Sequence, residues 1–174
     1  HWPIDLTGRV CADIGSSTGG FTDCMLQRGA VRVYAVDVGR GQLHWKLRQD
    51  PRVDCREEFN ARYLAPDAFD PKPSFASVDV SFISLDKILP ALVAAMTANA
   101  ELVTLIKPQF EAGREDVGKG GVVRDPAVHQ RVIDQVLAFG TGKLGLTCPG
   151  VIESPLKGPA GNTEFLAYWV RNSD

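Results

Sequence analysis

The sequence predicts an α/β fold, with a mainly parallel, doubly wound sheet and one antiparallel strand at the C-terminal end. Short valine-rich apolar runs alternate with stripes of apolar residues at helical spacing along most of the 174 residues. The last two predicted strands follow each other with only a turn between them, which favours an antiparallel pair. The length and the ordinary composition, 44% hydrophobic and 23% charged, predict one domain over residues 1–174.

The first part of the chain supplies two strands joined by a glycine-rich turn and a helix. RVCADIG predicts a buried strand that ends at Asp13 and Gly15, and VRVYAVDVG predicts the second strand. Apolar residues recur at helical spacing between them, and Gly29 is the predicted C-cap. LHWKLRQD then predicts a short helix, and RVDCREEF predicts a weaker strand. We expect Trp45, in the short helix, to pack in the core; stacking on a nucleotide base is the alternative.

The second part continues the alternation. SFASVDVSFIS predicts a strand with Asp79 near its end, and AELVTLIKP predicts one that ends in Lys107. The helical stripe over residues 85–96 contains Pro90, which is tolerated in the first turn, so we expect the helix to begin there. Residues 108–125 form a long glycine-containing loop whose length favours a functional lid. A valine stripe predicts the last helix, and LGLTCPGVIES and EFLAYWVR predict the final strands.

Composition narrows the class of protein. The net charge of −2 neither requires nor excludes a nucleic-acid partner. The four cysteines and three histidines show no metal-type spacing, so we expect reduced, mostly buried thiols and no zinc site. No apolar run approaches the length that crosses a bilayer, and no signal peptide is recognised. We therefore expect a cytoplasmic protein without membrane insertion.

The turn DIGSSTGGFT packs three glycines and four hydroxyl groups into ten residues. It follows the first strand, where doubly wound sheets bind ligands. Residues 15–22 have the spacing of a P-loop, but Phe21 replaces the lysine, which excludes a nucleoside triphosphatase. Ser17 replaces the second glycine of a dinucleotide site, which weakens NAD without excluding it. S-adenosylmethionine fits better, because its carboxylate can rest on a helix N-terminus and no pyrophosphate has to fit.

Asp37 ends the second predicted strand, where an acid commonly accepts hydrogen bonds from ribose hydroxyls. This position indicates an adenosine-containing ligand but does not separate NAD from S-adenosylmethionine. A glycine-rich turn that only packs a strand against a helix is the third interpretation of the loop.

Six stretches spread along nearly the whole chain carry a family resemblance: STGGFT, AVDVGRGQL, DVSFISL, IKPQFEAG, GGVVRDP and SPLKGPAGNTEF. Together they resemble the TlyA family of FtsJ-like ribose methyltransferases, often labelled hemolysin A. The resemblance implies a Rossmann-like class I methyltransferase fold and S-adenosylmethionine-dependent 2′-O-methylation of ribose, in cytidine, within ribosomal RNA. It implies ribosomal RNA or ribosomal subunits as partners, and a small N-terminal RNA-binding domain that residues 1–174 do not include.

The resemblance also implies a Lys-Asp-Lys-Glu catalytic set. Three members map by motif: Asp79 in VDVSF, Lys107 in IKPQF and Glu164 in GNTEF. Lys107 would take the proton of the 2′-hydroxyl, and Asp79 and Glu164 would orient it. The first lysine is expected upstream of the first strand, and residues 1–7 contain none. The resemblance therefore predicts that the chain by itself is impaired or inactive.

The residues and the resemblance together assign the cofactor-binding positions. These are Asp13, Gly15, Ser17, Gly19, Phe21, Asp37, Asn60 and Asp79. Asn60 follows the third strand, where related enzymes hold an acid near the adenine, and an amide can also bond there. Arg114, Lys119 and Arg124 of the lid would meet RNA phosphates, unless that loop lies open in solvent.

Three other functions stay open at this level. The family label suggests a membrane-active hemolysin, although no helix shows a strongly basic face opposite a large apolar one. The glycine loop leaves a dinucleotide-dependent oxidoreductase open. A non-catalytic RNA module that binds the cofactor is the last alternative.

Overall fold

The computed structural model describes residues 1–172 and contains one seven-stranded sheet in the order β3-β2-β1-β4-β5-β7-β6. The strands are β1 (Val10–Ile14), β2 (Arg32–Val36), β3 (Val53–Arg56), β4 (Phe75–Val78), β5 (Glu101–Ile106), β6 (Leu146–Glu153) and β7 (Phe165–Arg171). Strands β1 to β5 pair in parallel, whereas β7 runs antiparallel to both β5 and β6. The predicted topology is confirmed, with the antiparallel strand inserted between β5 and the edge strand β6.

The helices connect the strands as the alternation predicted. They are α1 (Gly20–Gln27), α2 (Trp45–Arg48), α3 (Leu89–Ala95), α4 (Pro108–Glu111) and α5 (Pro126–Leu144). Helix α3 begins beside Pro90, as expected. Helix α5 begins where the Asp125 side chain accepts a hydrogen bond from the Ala127 backbone nitrogen, and it ends at Gly145 in a left-handed conformation.

Two clusters of buried apolar side chains cover the sheet. Successive residues of β1 alternate between them, because Cys11 belongs to the smaller cluster and Ala12 to the larger. The smaller cluster includes Met25 of α1, and the larger one includes residues of α3 and α5. Helices therefore pack on both faces, as in a doubly wound sheet.

The expectation of a single long loop over residues 108–125 was wrong. Helix α4, a 3₁₀ turn at Arg114–Asp116 and a bridge between Gly118 and Val122 divide the segment. The buried Asn162 ties it to the β6–β7 connection, since its Oδ1 accepts from the Val123 nitrogen at 3.1 Å and its Nδ2 donates to the Gly121 carbonyl at 2.9 Å.

Two expectations about buried side chains were also wrong. Trp45 is 59% exposed, because Leu43 and Leu47 supply the inward contacts of the α2 region at Gly19. The four cysteines are free, as expected, but only Cys11 among them is fully buried and Cys24 is exposed.

Candidate active site

A cleft of about 530 Å³ opens at the carboxyl ends of β1, β2 and β4. Its size suits a small organic ligand. Five of the predicted cofactor-binding residues line the cleft: Gly15, Ser17, Asp37, Asn60 and Asp79. The apolar part of its wall includes Val38, Phe59, Ala61, Val80, Ile83 and Ile88. The structure thus brings together most, but not all, of the residues assigned from the sequence.

Gly15 joins the two sides of this cleft. Its φ is +82°, and a Cβ atom added to it would lie 2.0 Å from the carbonyl oxygen of Asp79. No other residue fits a backbone approach this close at a left-handed φ. The glycine turn after β1 and the segment after β4 are therefore in direct contact.

Asp37 is fixed by backbone donors. Its Oδ2 accepts from the Ser17 nitrogen at 2.8 Å, and its Oδ1 accepts from the Gly39 nitrogen at 2.7 Å. Each carboxylate oxygen has a second lone pair, so the group can still accept from ribose hydroxyls. Asn60 lies nearby, where its Oδ1 accepts from the Arg62 nitrogen at 3.0 Å and caps a 3₁₀ turn.

Asp13 lies behind the cleft wall and does not line it. The side chain is fully buried, and its carboxylate accepts from Thr22 Oγ1 at 2.7 Å and from Ser77 Oγ at 3.0 Å. Burial raises the pKa of Asp13 to about 6, although both hydroxyl bonds oppose the shift. The structure gives Asp13 a role in tying β1, α1 and β4 together, rather than a direct ligand contact.

Gly19 and Phe21 also lie outside the cleft lining. Gly19 has φ +101°, and a Cβ atom there would lie 2.3 Å from Leu47 Cδ1, so this glycine admits the packing of α2 against the loop. The Phe21 ring packs against the smaller apolar cluster. Both residues shape the loop from behind.

Lys107 and Asp79 meet at the carboxyl ends of neighbouring strands. Lys107 caps α4 immediately after β5 and is only 8% exposed. Its Nζ lies 2.6 Å from Asp79 Oδ1 and donates to Ser81 Oγ at 3.2 Å. Because Asp79 and Ser81 both line the cleft, the ammonium group is placed at its border by a charged and a neutral partner.

Glu164 is buried on the adjacent strand. The register of β5 and β7 pairs Ile106 with Phe165, which puts Glu164 opposite Lys107 along the antiparallel pair. Its Oε1 accepts from Gln109 Nε2 at 2.8 Å. Within residues 1–172 no ion pair joins Glu164 to Lys107 at 4.0 Å or less, so a direct orienting contact stays a prediction.

Glu57 has a structural role at the cleft that no motif in the sequence indicated. Its carboxylate accepts from the backbone nitrogens of Gly41, Gln42 and Leu43 and from the Arg48 guanidinium. The Arg48 bond, together with these backbone donors, lowers the pKa of Glu57 to about 2. Since Gln42 lines the cleft, Glu57 holds the wall beside Asp37.

The comparison with solved structures identifies the fold. An S-adenosylmethionine-dependent methyltransferase from Methanosarcina mazei superposes with a TM-score of 0.69 at 14% identity, covering 100% of this chain and 99% of that one. At this identity the likeness shows the fold, which is the Rossmann-like fold of methyltransferases. The predicted fold is confirmed.

The family follows from the sequence match. Residues 2–171 match the model of the FtsJ-like methyltransferases. The chain belongs to the FtsJ-like methyltransferase family, a family of enzymes, and S-adenosylmethionine is the cofactor of this class.

YqxC of Bacillus subtilis is 51% identical over 169 residues, covering 97% of this chain and 60% of that protein. The 16S/23S rRNA (cytidine-2′-O)-methyltransferase TlyA of Mycobacterium tuberculosis is 49% identical over 168 residues, covering 97% and 62%. A solved structure from Lactococcus lactis with a provisional hemolysin name has a TM-score of 0.94 at 53% identity, covering 98% of this chain and 82% of that one.

The chain spans about 60% of the length of the first two relatives. Within residues 1–172, no helix has both the length and the apolar character to cross a bilayer.

Proposed function

We propose that residues 1–174 form one S-adenosylmethionine-dependent methyltransferase domain that methylates the ribose 2′-oxygen of a cytidine in ribosomal RNA. The observation that carries the proposal is the ion pair between the buried Lys107 and the half-buried Asp79, 2.6 Å apart at the border of the cleft. The activity in the name of the TlyA relative supports the substrate class. Ribosomal RNA as a substrate places the reaction in the cytoplasm.

The cleft residues fit the proposed donor. Asp37 would accept hydrogen bonds from its ribose hydroxyls. The apolar side chains of Phe59 and Ala61 and the amide of Asn60 line the wall where an adenine would lie. Gly15 and Ser17 would hold the methionine part near Asp79. When bound, the cofactor supplies an electrophilic methyl group.

The catalytic residues would handle the proton of the hydroxyl group. A 2′-hydroxyl is a poor nucleophile and must lose its proton near the transition state. We assign Lys107 Nζ, entering the step as the unprotonated amine, as the group whose lone pair receives this proton, and Asp79 as the carboxylate that places Nζ and stabilises the ammonium that forms. Ser81 fixes the direction of Nζ through its hydroxyl. The low exposure of Lys107 keeps bulk water from competing for this position.

Exposed aromatic rings at the same edge of the sheet support an RNA substrate. Trp45, Tyr63 and Phe82 follow β2, β3 and β4 in the chain and are all exposed. Lys46 Nζ lies 5.9 Å from the Trp45 ring centroid, and the Arg62 guanidinium lies 5.9 Å from that of Tyr63. An aromatic ring beside a cationic side chain can bind an unpaired nucleotide, because the base stacks on the ring and the phosphate binds the cation.

The test is the position of the transferred methyl group. The chain is incubated with methyl-labelled S-adenosylmethionine and ribosomal subunits, and the RNA is then hydrolysed in alkali. A 2′-O-methyl group blocks cleavage at its own nucleotide, so we expect the label in alkali-resistant dinucleotides that contain cytidine. Label released in mononucleotides would contradict ribose methylation.

Two matched variants accompany this assay. Lys107→Ala is expected to abolish incorporation, whereas Lys143→Ala, at the exposed end of α5, is expected to match wild type. Because the chain covers 60% of YqxC, the assay is also run on the chain joined to the part of YqxC that it does not cover. Failure of both forms to label RNA would contradict the proposed function.

A further inference from the structure

Glu111 links the two segments that carry the Lys107–Asp79 pair. It is the last residue of α4, four positions after Lys107. Its Oε1 accepts from the Leu85 backbone nitrogen at 2.8 Å, and its Oε2 accepts from the Ser84 hydroxyl. Burial raises the pKa of the Glu111 carboxyl, although both bonds oppose the shift. The carboxylate therefore joins α4 to the end of the turn that starts at Asp79.

That turn is strained. Phe82 has φ +62°, a left-handed conformation that costs a residue with a Cβ atom roughly 1–3 kcal/mol and persists only when its surroundings hold it. The Phe82 ring is 90% exposed, and its centroid lies 4.8 Å from that of Phe110. Phe110 and Glu111 are neighbours on α4, so one short helix holds the strained turn through a ring contact and through a carboxylate.

The other end of α4 contacts the same turn. Lys107 Nζ binds both Asp79 and Ser81, while Glu111 binds Ser84 and the Leu85 nitrogen. The turn is thus attached to α4 at its start and at its end. Release of the Glu111 end would remove one of the contacts that oppose the strain at Phe82, and would leave the Lys107 contacts, the Phe110 ring and the packing of Val80 and Ile83 against the larger cluster.

We propose that Glu111 is a positioning residue for methyl transfer, which fixes the turn from Asp79 to Ser84 so that Asp79 and Ser81 stay against the Lys107 ammonium. The catalytic consequence rests on the proposed function. The geometric claim stands on the structure alone.

We expect the protein to fold without the Glu111 side chain. A cavity of about 300 Å³ lies beside it, between Ser84, Leu85 and Asp86 and the α5 residues Val132, Gln135, Val136 and Phe139. Truncation to alanine therefore enlarges an existing cavity instead of opening a new one in a dense core.

The test compares Glu111→Ala with Glu111→Gln. We expect the alanine variant to lose about 10- to 100-fold in kcat for methyl transfer, because small misplacements of reacting groups have effects of this order. Its KM for S-adenosylmethionine should change less than kcat, since Ser17, Asp37 and Asn60 on the other wall of the cleft are untouched. The glutamine variant should recover most of kcat, because its amide oxygen still accepts from the Leu85 nitrogen. Asp134→Ala, on the exposed face of α5, is the control.

A folded alanine variant with unchanged kcat would overturn the proposal. A glutamine variant as impaired as alanine would overturn it too, because the hydrogen bond to Leu85 would then not be the cause. A parallel loss of kcat, cofactor binding and thermal stability in the alanine variant would show a structural role only.

Crystal structures and amide exchange test whether Glu111 holds Asp79 against Lys107, and neither measurement depends on enzyme activity. In crystal structures we expect Lys107 Nζ and Asp79 Oδ1 to separate beyond 4 Å in Glu111→Ala but not in Glu111→Gln. Amide exchange at Leu85 should accelerate in the alanine variant only. An intact pair with a protected Leu85 amide in Glu111→Ala would overturn the claim. Absent methyl transfer by both the wild-type chain and its YqxC-extended form would overturn the proposed function alone.

Discussion

The two sides of the cleft are built by different means. On the cofactor side, backbone groups set the geometry, because Gly15 takes a left-handed φ and Asp37 receives the amides of Ser17 and Gly39. On the catalytic side, Asp79, Lys107 and Glu164 come from the ends of separate strands and are set by side-chain contacts. A binding site made by backbone is encoded within one short stretch, whereas a catalytic site made by side chains depends on the whole sheet.

Gly15→Ala is expected to break both sides at once, because its Cβ would lie 2.0 Å from the Asp79 carbonyl. The left-handed φ alone costs roughly 1–3 kcal/mol, and the overlap adds to it. We expect a clear fall in the urea midpoint and loss of S-adenosylmethionine binding by calorimetry. Gly142→Ala, where a Cβ meets nothing within 4 Å in α5, should be neutral or stabilising. Wild-type cofactor binding by Gly15→Ala would show that the two sides do not depend on this contact.

Asp37→Ala is expected to damage the cofactor side only. Loss of hydrogen bonds to a charged group costs roughly 1.5–3 kcal/mol, which corresponds to about a 10- to 100-fold weaker affinity for S-adenosylmethionine. Transfer at saturating cofactor should stay near wild type, because the Lys107–Asp79 pair is untouched. Calorimetry and initial rates measure the two effects, with the exposed Glu153→Ala as control. An unchanged affinity would remove Asp37 from the site.

Asp13→Asn tests the buried tie behind both sides. The pKa of Asp13 in the folded protein, about 6, lies above its ordinary 3.8, so the folded state favours the protonated form. The stability that this group contributes is present below about pH 4 and is lost as the pH rises through about 6. The free energy of unfolding of Asp13→Asn, relative to that of wild type, should therefore be roughly 1–3 kcal/mol higher at pH 7.5 than at pH 4. Denaturant titrations at both pH values measure the difference, and a difference independent of pH would contradict the shifted pKa.

Trp45→Ala tests whether α2, outside the cleft, contributes to RNA binding. Stacking of a base on an aromatic ring contributes roughly 1–3 kcal/mol, and the partial exposure of Trp45 favours the lower end, or about a fivefold loss of RNA affinity. Cofactor binding should not change. Filter binding with an unpaired RNA oligonucleotide measures the effect, and equal affinity for both proteins would exclude α2 from the RNA surface.

The fold could be predicted from the sequence because strands and helices each have a characteristic local pattern of apolar residues. Valine-rich runs and helical stripes gave the order of elements, and the adjacent final strands gave the antiparallel strand. The side of the cleft that depends on backbone was also local, since the glycine turn and Asp37 flank one strand-helix unit. Asp79 and Lys107 were identified only through the family motifs. No local sequence pattern shows that the ends of β4 and β5 bring these two side chains into contact.

What the sequence did not show depends on distant partners. Glu57 receives amides 14 to 16 positions away, and Glu111 bonds to Ser84 and Leu85, 27 and 26 positions away. Trp45 was assigned to the core because a tryptophan is more often buried than exposed, and its neighbours in the sequence do not show that Leu43 and Leu47 make the inward contacts instead. Asp13 was assigned to the cofactor site from the glycine turn and the family resemblance, but its carboxylate bonds to buried hydroxyls behind the cleft wall.

The most direct test separates binding from transfer in Lys107→Ala. Cofactor affinity is measured by calorimetry, and methyl transfer to ribosomal subunits is measured in a single turnover. If the catalytic side is distinct from the cofactor side, Lys107→Ala should bind S-adenosylmethionine within about twofold of wild type and transfer methyl groups at least about 100-fold more slowly. Transfer at the wild-type rate, or a loss of cofactor binding as large as the loss of transfer, would contradict it.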